Sequence, residues 1–352
     1  MRDLQQGMKT VLGLDIGSQF IKYVQLEHTG RDQYRLLSVG MAPSPAKGIA
    51  SEASIDQEAL AATVKKLLKD GGVRQKEANV ALPETNVFTR IIQVPPLSER
   101  ELASAIRWEA EQYIPLPLEE VNMDFSIVGE SKDKEGNKKL EILLVAGPKI
   151  VIERYQKILD LIGLEVEGME TEIISASRAL LPKNLEKPPT VMVINLGANT
   201  TDLSILRAGV ISFTRSVPTG GVSFTRALAQ DFNFSATQAE EYKKAYGLDK
   251  SKIEGKVFNS LQPIFSVIVE EIKRAGVFFQ NKYPDETISA IILSGGAAKL
   301  PGLVTQLAET TGIETQIGNP WTRIVKDPKR FVNLDEEGAV FVVAIGLAMR
   351  EV

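Results

Sequence analysis

The order of apolar and polar positions in this chain occurs twice. Residues 10–26 read TVLGLDIGSQFIKYVQL and residues 190–206 read TVMVINLGANTTDLSIL. At one constant offset Thr10 matches Thr190, Asp15 matches Asn195, Gly17 matches Gly197 and Leu26 matches Leu206. Each copy is an apolar run, an acid or amide with a glycine two positions on, small polar residues, and a second apolar run. Two such runs about a short glycine-containing turn predict a β-hairpin. The first copy continues into a third strand at 34–39 and the second at 210–217, so each half opens with a three-strand meander. A repeat of this kind predicts two related α/β lobes.

Helical spacing follows the first meander. Leu60, Val64, Leu67 and Leu68 make one stripe, closed by Gly71 and Gly72. Between the repeats the pattern reads strand (79–82), strand (87–94), helix (98–113), strand (122–128), charged turn (132–139), strand (140–147) and helix (149–162). The first of these helices opens on a capping box, Ser98 with Glu101, and carries a stripe of Leu102, Ile106 and Tyr113. Trp108 lies off that stripe. The second carries Val151, Tyr155, Ile158, Leu159 and Ile162, with Gly163 as its stop. This alternation predicts a small inserted α/β unit, an antiparallel sheet covered by both helices. The terminal AVFVVAIGLAMREV is apolar nearly all round and predicts a buried helix, with Asp335, Glu336 and Glu337 favourable at its positive end. The division expected is a first lobe at 1–187 with its insertion at about 78–165, a second lobe at 188–336, and a C-terminal helix at 337–352 packing back on the first lobe.

Composition narrows the function. At 352 residues the chain exceeds what one core usually organises, in keeping with two lobes. A net charge of −4 argues against a nucleic-acid partner, which asks for a basic footprint. Without cysteine there is no disulfide or thiolate chemistry, and with one histidine besides, no zinc site. That histidine, His28, precedes Thr29-Gly30 and reads as a solvated turn residue. The first seven residues lack the apolar core of a signal peptide, and no run is apolar enough to span a bilayer. The expectation is a cytoplasmic chain that does not insert in the membrane and reaches it only through a partner.

The two turns suggest the chemistry. Gly17, Ser18 and Gln19 on one side, and Gly197, Ala198, Asn199 and Thr200 on the other, could grip a polyphosphate with backbone N–H groups that no Cβ obstructs. Asp15 would face a Mg²⁺ through water, since that ion keeps much of its hydration. Lys22, on the returning strand, would add a point charge. A third glycine-rich turn follows the strand predicted at 288–294: Gly295, Gly296, Ala297 and Ala298, then a helix beginning near Pro301. Such a turn brings backbone flush against a base or ribose.

In this order the segments DIGS, NLGANTTD and LSGGAAKLPGL resemble the first phosphate, second phosphate and adenosine motifs of the actin-like ATPase superfamily. The resemblance implies an actin-like fold of two duplicated lobes that clasp ATP and Mg²⁺. It puts Glu240 and Lys243, in AEEYKKAYG, beside the ribose and base, and Gly220 and Gly221 close to the nucleotide. Taken alone, Glu240 and Lys243 are i,i+3 neighbours and read as a surface ion pair. The family usually has Asp where this chain has Asn195; an amide can be neither base nor charge, so slow hydrolysis or none is expected, with Asp15 and Asn195 as the catalytic positions.

Within the superfamily, the inserted subdomain resembles that of FtsA and, more closely, the PilM family of type IV pilus assembly proteins, above all in VPPLSERELASAIRWEAEQYIPLPLEEV. That resemblance implies a scaffold peripheral to the inner membrane. Its partner would be the cytoplasmic N-terminal tail of the single-span protein PilN, held between the first lobe and an insertion groove floored by the 98–113 and 149–162 elements. Other pilus platform or motor proteins would be further partners. An FtsA-like division adaptor is the alternative; an actin-fold phosphotransferase would need a substrate-side acid or base and larger insertions.

Overall fold

The computed structural model describes residues 9–30, 32–132, 135–182 and 186–351. The N-terminal residues read for a signal peptide, and the middle of the charged turn at 132–139, lie outside them.

The first half begins with β1 (Thr10–Ile16), β2 (Phe20–Gly30) and β3 (Gln33–Pro43), an antiparallel meander, followed by α1 (Ser54–Asp70) and β4 (Glu77–Leu82). The chain then leaves this sheet for β5 (Phe88–Val94), α2 (Glu99–Ala110), β6 (Val121–Lys132) and β7 (Lys138–Pro148). It returns through α3 (Lys149–Ile162), β8 (Glu165–Thr171) and α4 (Glu172–Leu180). The second half repeats the plan with β9 (Val191–Leu196), β10 (Thr201–Arg207) and β11 (Val210–Val217). After it come α5 (Gly221–Phe232), α6 (Ala236–Tyr246), α7 (Lys256–Lys282), β12 (Ala290–Ser294), α8 (Leu303–Thr311) and β13 (Glu314–Ile317). Last are β14 (Ile324–Val325) and α9 (Gly338–Ala348).

Three sheets result, with strand orders β14-β3-β2-β1-β4-β8, β11-β10-β9-β12-β13 and β5-β7-β6. In the first two, the strand after the hairpin joins the meander's first strand in parallel, β4 to β1 and β12 to β9. That shared plan is the duplication seen in the repeat. Central strands buried on both faces read as apolar runs, as β9 does with Asn195 its one polar residue (VMVINL, buried throughout).

Between the two large sheets lie α4 and α9. Their core joins Val24, Leu26 and Tyr34 of the first sheet to Val193, Leu206 and Ile292 of the second, through Ile173, Ala176, Phe341 and Ile345. Small residues let the backbones meet. A Cβ at Gly13 would strike the carbonyl of Ala344, and one at Gly346 would strike the carbonyl of Ser175. The Ser175 hydroxyl donates to the Val343 carbonyl at 2.6 Å, tying the two helices together.

The insertion differs from its sequence reading. Its antiparallel sheet is covered by α2, whose Leu102, Ile106 and Ala110 pack with Ile92, Ile142 and Leu144. Helix α3 does not join that cover. Tyr155, Ile158, Leu159 and Ile162 pack instead with Leu60, Val64, Leu12 and Val80, against α1 and the first sheet. Likewise the strand expected at 79–82 is part of β4, in the first sheet.

Candidate functional site

The first hairpin turn is fixed from two sides. The Gly17 N–H donates to the Phe20 carbonyl at 3.1 Å, while Ser44 donates its hydroxyl to the Gly17 carbonyl (2.6 Å) and its N–H to the Gln19 carbonyl (2.8 Å). Ser18 and Gln19 are exposed. Antiparallel register sets Asp15 opposite Lys22, and the Lys22 ammonium lies 2.5 Å from an Asp15 oxygen. The carboxylate is only 3 % exposed, so its charge is compensated by the lysine of its own hairpin.

The second turn is bolted to the start of α5. Gly197 donates to the Thr200 carbonyl at 2.9 Å; Gly221 and Val222 donate back to the Gly197 and Ala198 carbonyls at 2.9 and 2.8 Å. Gly220 must be a glycine here, because a Cβ would lie 2.7 Å from the Ala198 carbonyl oxygen. Asn199 is exposed at the tip.

The third turn meets the second. Gly295 has φ +90°, the left-handed region that favours glycine, and a Cβ on it would strike the Leu196 carbonyl. Its N–H donates to the Ala339 carbonyl at 2.8 Å, at the start of α9. At Gly296, by contrast, a Cβ would meet nothing within 4 Å, so this residue faces open space. A Cβ at Gly221 would stand 3.4 Å from the Ala297 Cβ and 3.6 Å from the Lys243 ammonium, which shows how closely these segments converge. The helix beyond starts at Leu303 rather than Pro301, because Gly302 just before it is left-handed (φ +74°).

Glu240 and Lys243 are not a surface pair. Lys243 is buried, and its ammonium donates to Glu240 (2.6 Å), the Thr225 hydroxyl (2.9 Å) and the Gly221 carbonyl (3.1 Å). Thr225 donates to the same Glu240 oxygen at 2.6 Å. Burial pushes the Glu240 carboxyl up, but the hydrogen bonds from Lys243 and Thr225 outweigh it and hold the group below its ordinary range. The cluster clamps α6 against the N-terminus of α5.

Three further carboxylates, which the sequence reading did not single out, occupy the space between the hairpins. Glu172, the first residue of α4, accepts the Asn195 side-chain amide at 3.1 Å. Burial, then the charges of Asp15 and Asp202, raise its carboxyl well above the usual range. Asp202, opposite Asn195 across the second hairpin, accepts from Ser216 at 2.5 Å and Thr200 at 3.2 Å, yet burial pushes it up to about 6. Glu84, just past β4, is raised by burial and then by Asp202 to about 7. The Thr171 and Thr89 hydroxyls lie near enough to lower it somewhat, although neither hydroxyl nor one Glu84 oxygen makes a full hydrogen bond. Asp202 was visible as the last residue of NLGANTTD. Glu172 and Glu84 had no motif to mark them.

The structure thus gathers Gly197, Ala198, Gly220, Gly221, Glu240, Lys243, Gly295 and Ala297 into one wall, and links it to Asp15 and Lys22 through Glu172 and Asn195. His28 lies elsewhere. It sits on β2, not in a turn, with one ring nitrogen 3.0 Å from the Ala348 carbonyl and its ring edge-on to Tyr34.

A nucleotide and its metal fit what is present. Gly296 faces open space, the tips of both hairpin turns are exposed at Ser18, Gln19 and Asn199 although the Gly17 and Gly197 N–H groups are donated within their own hairpins, and Asp15, paired here with Lys22, is the single carboxylate that a hydrated Mg²⁺ would take. Among the described residues no three acids or imidazoles converge to grip a metal directly.

The chain is 30 % identical to a chain of a PilM–PilN type IV pilus biogenesis complex, covering 97 % of this chain and 98 % of that one, with a TM-score of 0.84. It is 23 % identical to the cell division protein FtsA of Pseudomonas aeruginosa over 93 % of this chain and 88 % of that protein. MreB5 of Spiroplasma citri bound to AMPPNP shares the fold, with 14 % identity, a TM-score of 0.53 and coverage of 96 % and 94 %. These neighbours make the fold actin-like, with two duplicated lobes and an insertion of the FtsA and PilM type in the first. The model of the type IV pilus assembly protein PilM family matches residues 13–352, and the chain belongs to that family.

Proposed function

We propose that this chain is an ATP-binding scaffold of the type IV pilus inner-membrane platform, holding the cytoplasmic N-terminal tail of PilN. The observation that carries this is the likeness, along 97 % of the chain, to a protein solved as a PilM–PilN complex. Among the described residues no helix is long and apolar enough to cross a membrane. The protein works in the cytoplasm and is peripheral to the inner membrane through its partner. Other platform and motor proteins dock on the assembly so formed.

The tail lies between the first lobe and its insertion, in a groove floored by α2 and α3. Their packing supports a groove: α2 covers the insertion sheet and α3 covers the first lobe, so the two helices belong to different bodies. A disordered tail must offset its own ordering through side-chain anchors and backbone bonds, which gives moderate affinity. We divide the lobes at about 1–187 and 188–336 with two exceptions: β4 and α3 go with the first lobe, which leaves the insertion between Leu82 and Lys149, and β14 adds to the first sheet.

Mg·ATP lies between the turn of Gly17, Ser18 and Gln19 and that of Gly197, Ala198, Asn199 and Thr200. Glu240, Lys243, Gly295, Gly296 and Ala297 take the base and ribose, with Gly220 and Gly221 close to the nucleotide. Asp15 orients the hydrated Mg²⁺ and Lys22 moves from it toward the phosphates. Asn195 leaves that side without a charged base, so turnover is slow and the nucleotide acts as a brace between lobes. Co-purification tests the scaffold reading. PilN lacking its cytoplasmic tail should not be retained by this protein, whereas PilN lacking its periplasmic part should be. Retention of the tail-less form would overturn it.

A further inference from the structure

The insertion belongs to the first lobe by sequence, yet it also touches the second. On β7, Glu141 is 5 % exposed and faces the end of α7. It accepts from the Lys282 ammonium at 3.0 Å and from the Tyr283 hydroxyl at 3.1 Å, and Gln93 of the neighbouring β5 approaches at 3.4 Å. Tyr283 is itself held. The Arg207 guanidinium lies 4.4 Å over its ring, and Arg207 is paired with Glu286 at 2.7 Å. Beside this cluster β5 and β6 pack along β11, the outer strand of the second sheet.

A carboxylate this buried carries a large desolvation cost, and it is held below its ordinary range despite burial because Lys282 and Tyr283 satisfy it. Pulled away from the second lobe, Glu141 would lose both partners at once. The contact therefore has two states, made or broken, with little between. The insertion meets the first lobe where the chain leaves β4 and re-enters at α3 and through Leu143 and Val145 of β7, while the cluster adds a polar tie to the second lobe.

We propose that Glu141, Lys282 and Tyr283 form a latch by which relative movement of the two lobes repositions the insertion and so reshapes the groove between α2 and α3. This rests on the nucleotide and tail sites proposed above and adds their coupling. A ligand that favours one lobe arrangement must then alter the groove's affinity, and the groove's ligand must alter nucleotide affinity by the same factor.

The test measures binding of a labelled synthetic peptide of the PilN cytoplasmic tail with and without saturating Mg·ATP. Wild type, Glu141→Gln and Lys282→Met are compared. In wild type the peptide Kd should change at least about 5-fold on adding nucleotide, the lower end of ordinary allosteric coupling. In both variants each ligand should still bind alone, with the coupling reduced below about 2-fold. Coupling that survives in the variants, or is missing from wild type while both ligands bind, overturns the latch and leaves both sites standing. Failure of either ligand to bind wild type overturns the sites instead. Amide hydrogen exchange then judges the latch without ligands: Lys282→Met should speed exchange along β7 and β11 together and leave β1 unchanged. Unchanged exchange in β7 and β11 overturns it.

Discussion

Asn195 donates its side-chain amide to Glu172 at 3.1 Å, and so one residue of the second hairpin is bonded to the first residue of a helix that follows the first sheet. The Asn195 carbonyl oxygen in turn lies 3.4 Å from the Ser294 hydroxyl. The amide thus serves a carboxylate on one side and a hydroxyl on the other, where an aspartate would face Glu172 with a like charge. Asn195→Asp should destabilise the fold by about 1–3 kcal/mol near pH 8, the cost of leaving a buried polar partner unpaired. Urea unfolding checks this, and the loss should shrink as pH is lowered, since a proton on either carboxyl removes the like charge. Turnover per folded molecule should not fall, since an acid at this position is what ATPases of this fold usually carry.

Glu84 gives a pH dependence whose sign is fixed. Its carboxyl rises from 4.5 to about 7 in the folded protein. The unfolded chain therefore loses this proton first as pH rises. Stability from this group is complete below about 4.5, falls between there and about 7, and is gone above; the fall is worth about 3 kcal/mol. Glu84→Gln has no proton to lose. It should match wild type near pH 5 and exceed it near pH 8, with the remaining slope due to Glu172 and Asp202. Equal loss of stability in both proteins from pH 5 to pH 8 would refute the assignment.

At Gly296 the fold has room that the neighbouring glycine lacks. Gly296→Leu should fold as well as wild type, because a side chain there points into open space, while Gly295→Leu should not fold at all. In titration calorimetry Gly296→Leu should lose at least about 10-fold in affinity for ADP and ATP alike, equivalent to about 1.4 kcal/mol. Loss confined to ATP would move the residue from the base to the γ-phosphate.

Lys243→Met tests whether its cluster is structural, functional or both. It strips the ammonium from Glu240, Thr225 and the Gly221 carbonyl, and should cost about 1–3 kcal/mol in unfolding experiments. Because Gly221 also carries the second turn through its bond to Gly197, nucleotide affinity should drop as well. Unchanged nucleotide affinity would confine the cluster to holding α5 and α6.

What the sequence shows depends on how local the cause is. β11 occupies the residues expected for it, the Ser98–Glu101 capping box forms, and Gly163 ends α3 in the left-handed conformation, because each follows from neighbours along the chain. The stripe on α3 correctly announced a buried face but not its partner; Tyr155 and Leu159 look the same whether they meet the insertion sheet or Leu60 and Val64. The i,i+3 spacing of Glu240 and Lys243 could not reveal the Gly221 carbonyl above them, which turns a surface pair into a buried clamp. Glu172 and Glu84 lie on separate elements and become a site only when the two sheets close over α4. His28 lies in a strand although Thr29-Gly30 resembles a turn, because β2 runs on to Gly30 and Ala348 offers the ring a carbonyl.

The central claim is that this chain grips the cytoplasmic tail of PilN, and direct titration of that tail is its clearest measurement. A synthetic peptide of the tail should bind the isolated protein one to one with a Kd of about 1–100 μM, as suits a segment that must be ordered on binding. Substituting charged residues for its apolar anchors should abolish the signal. No heat and no anisotropy change at millimolar peptide, from protein shown to be folded, would contradict the account.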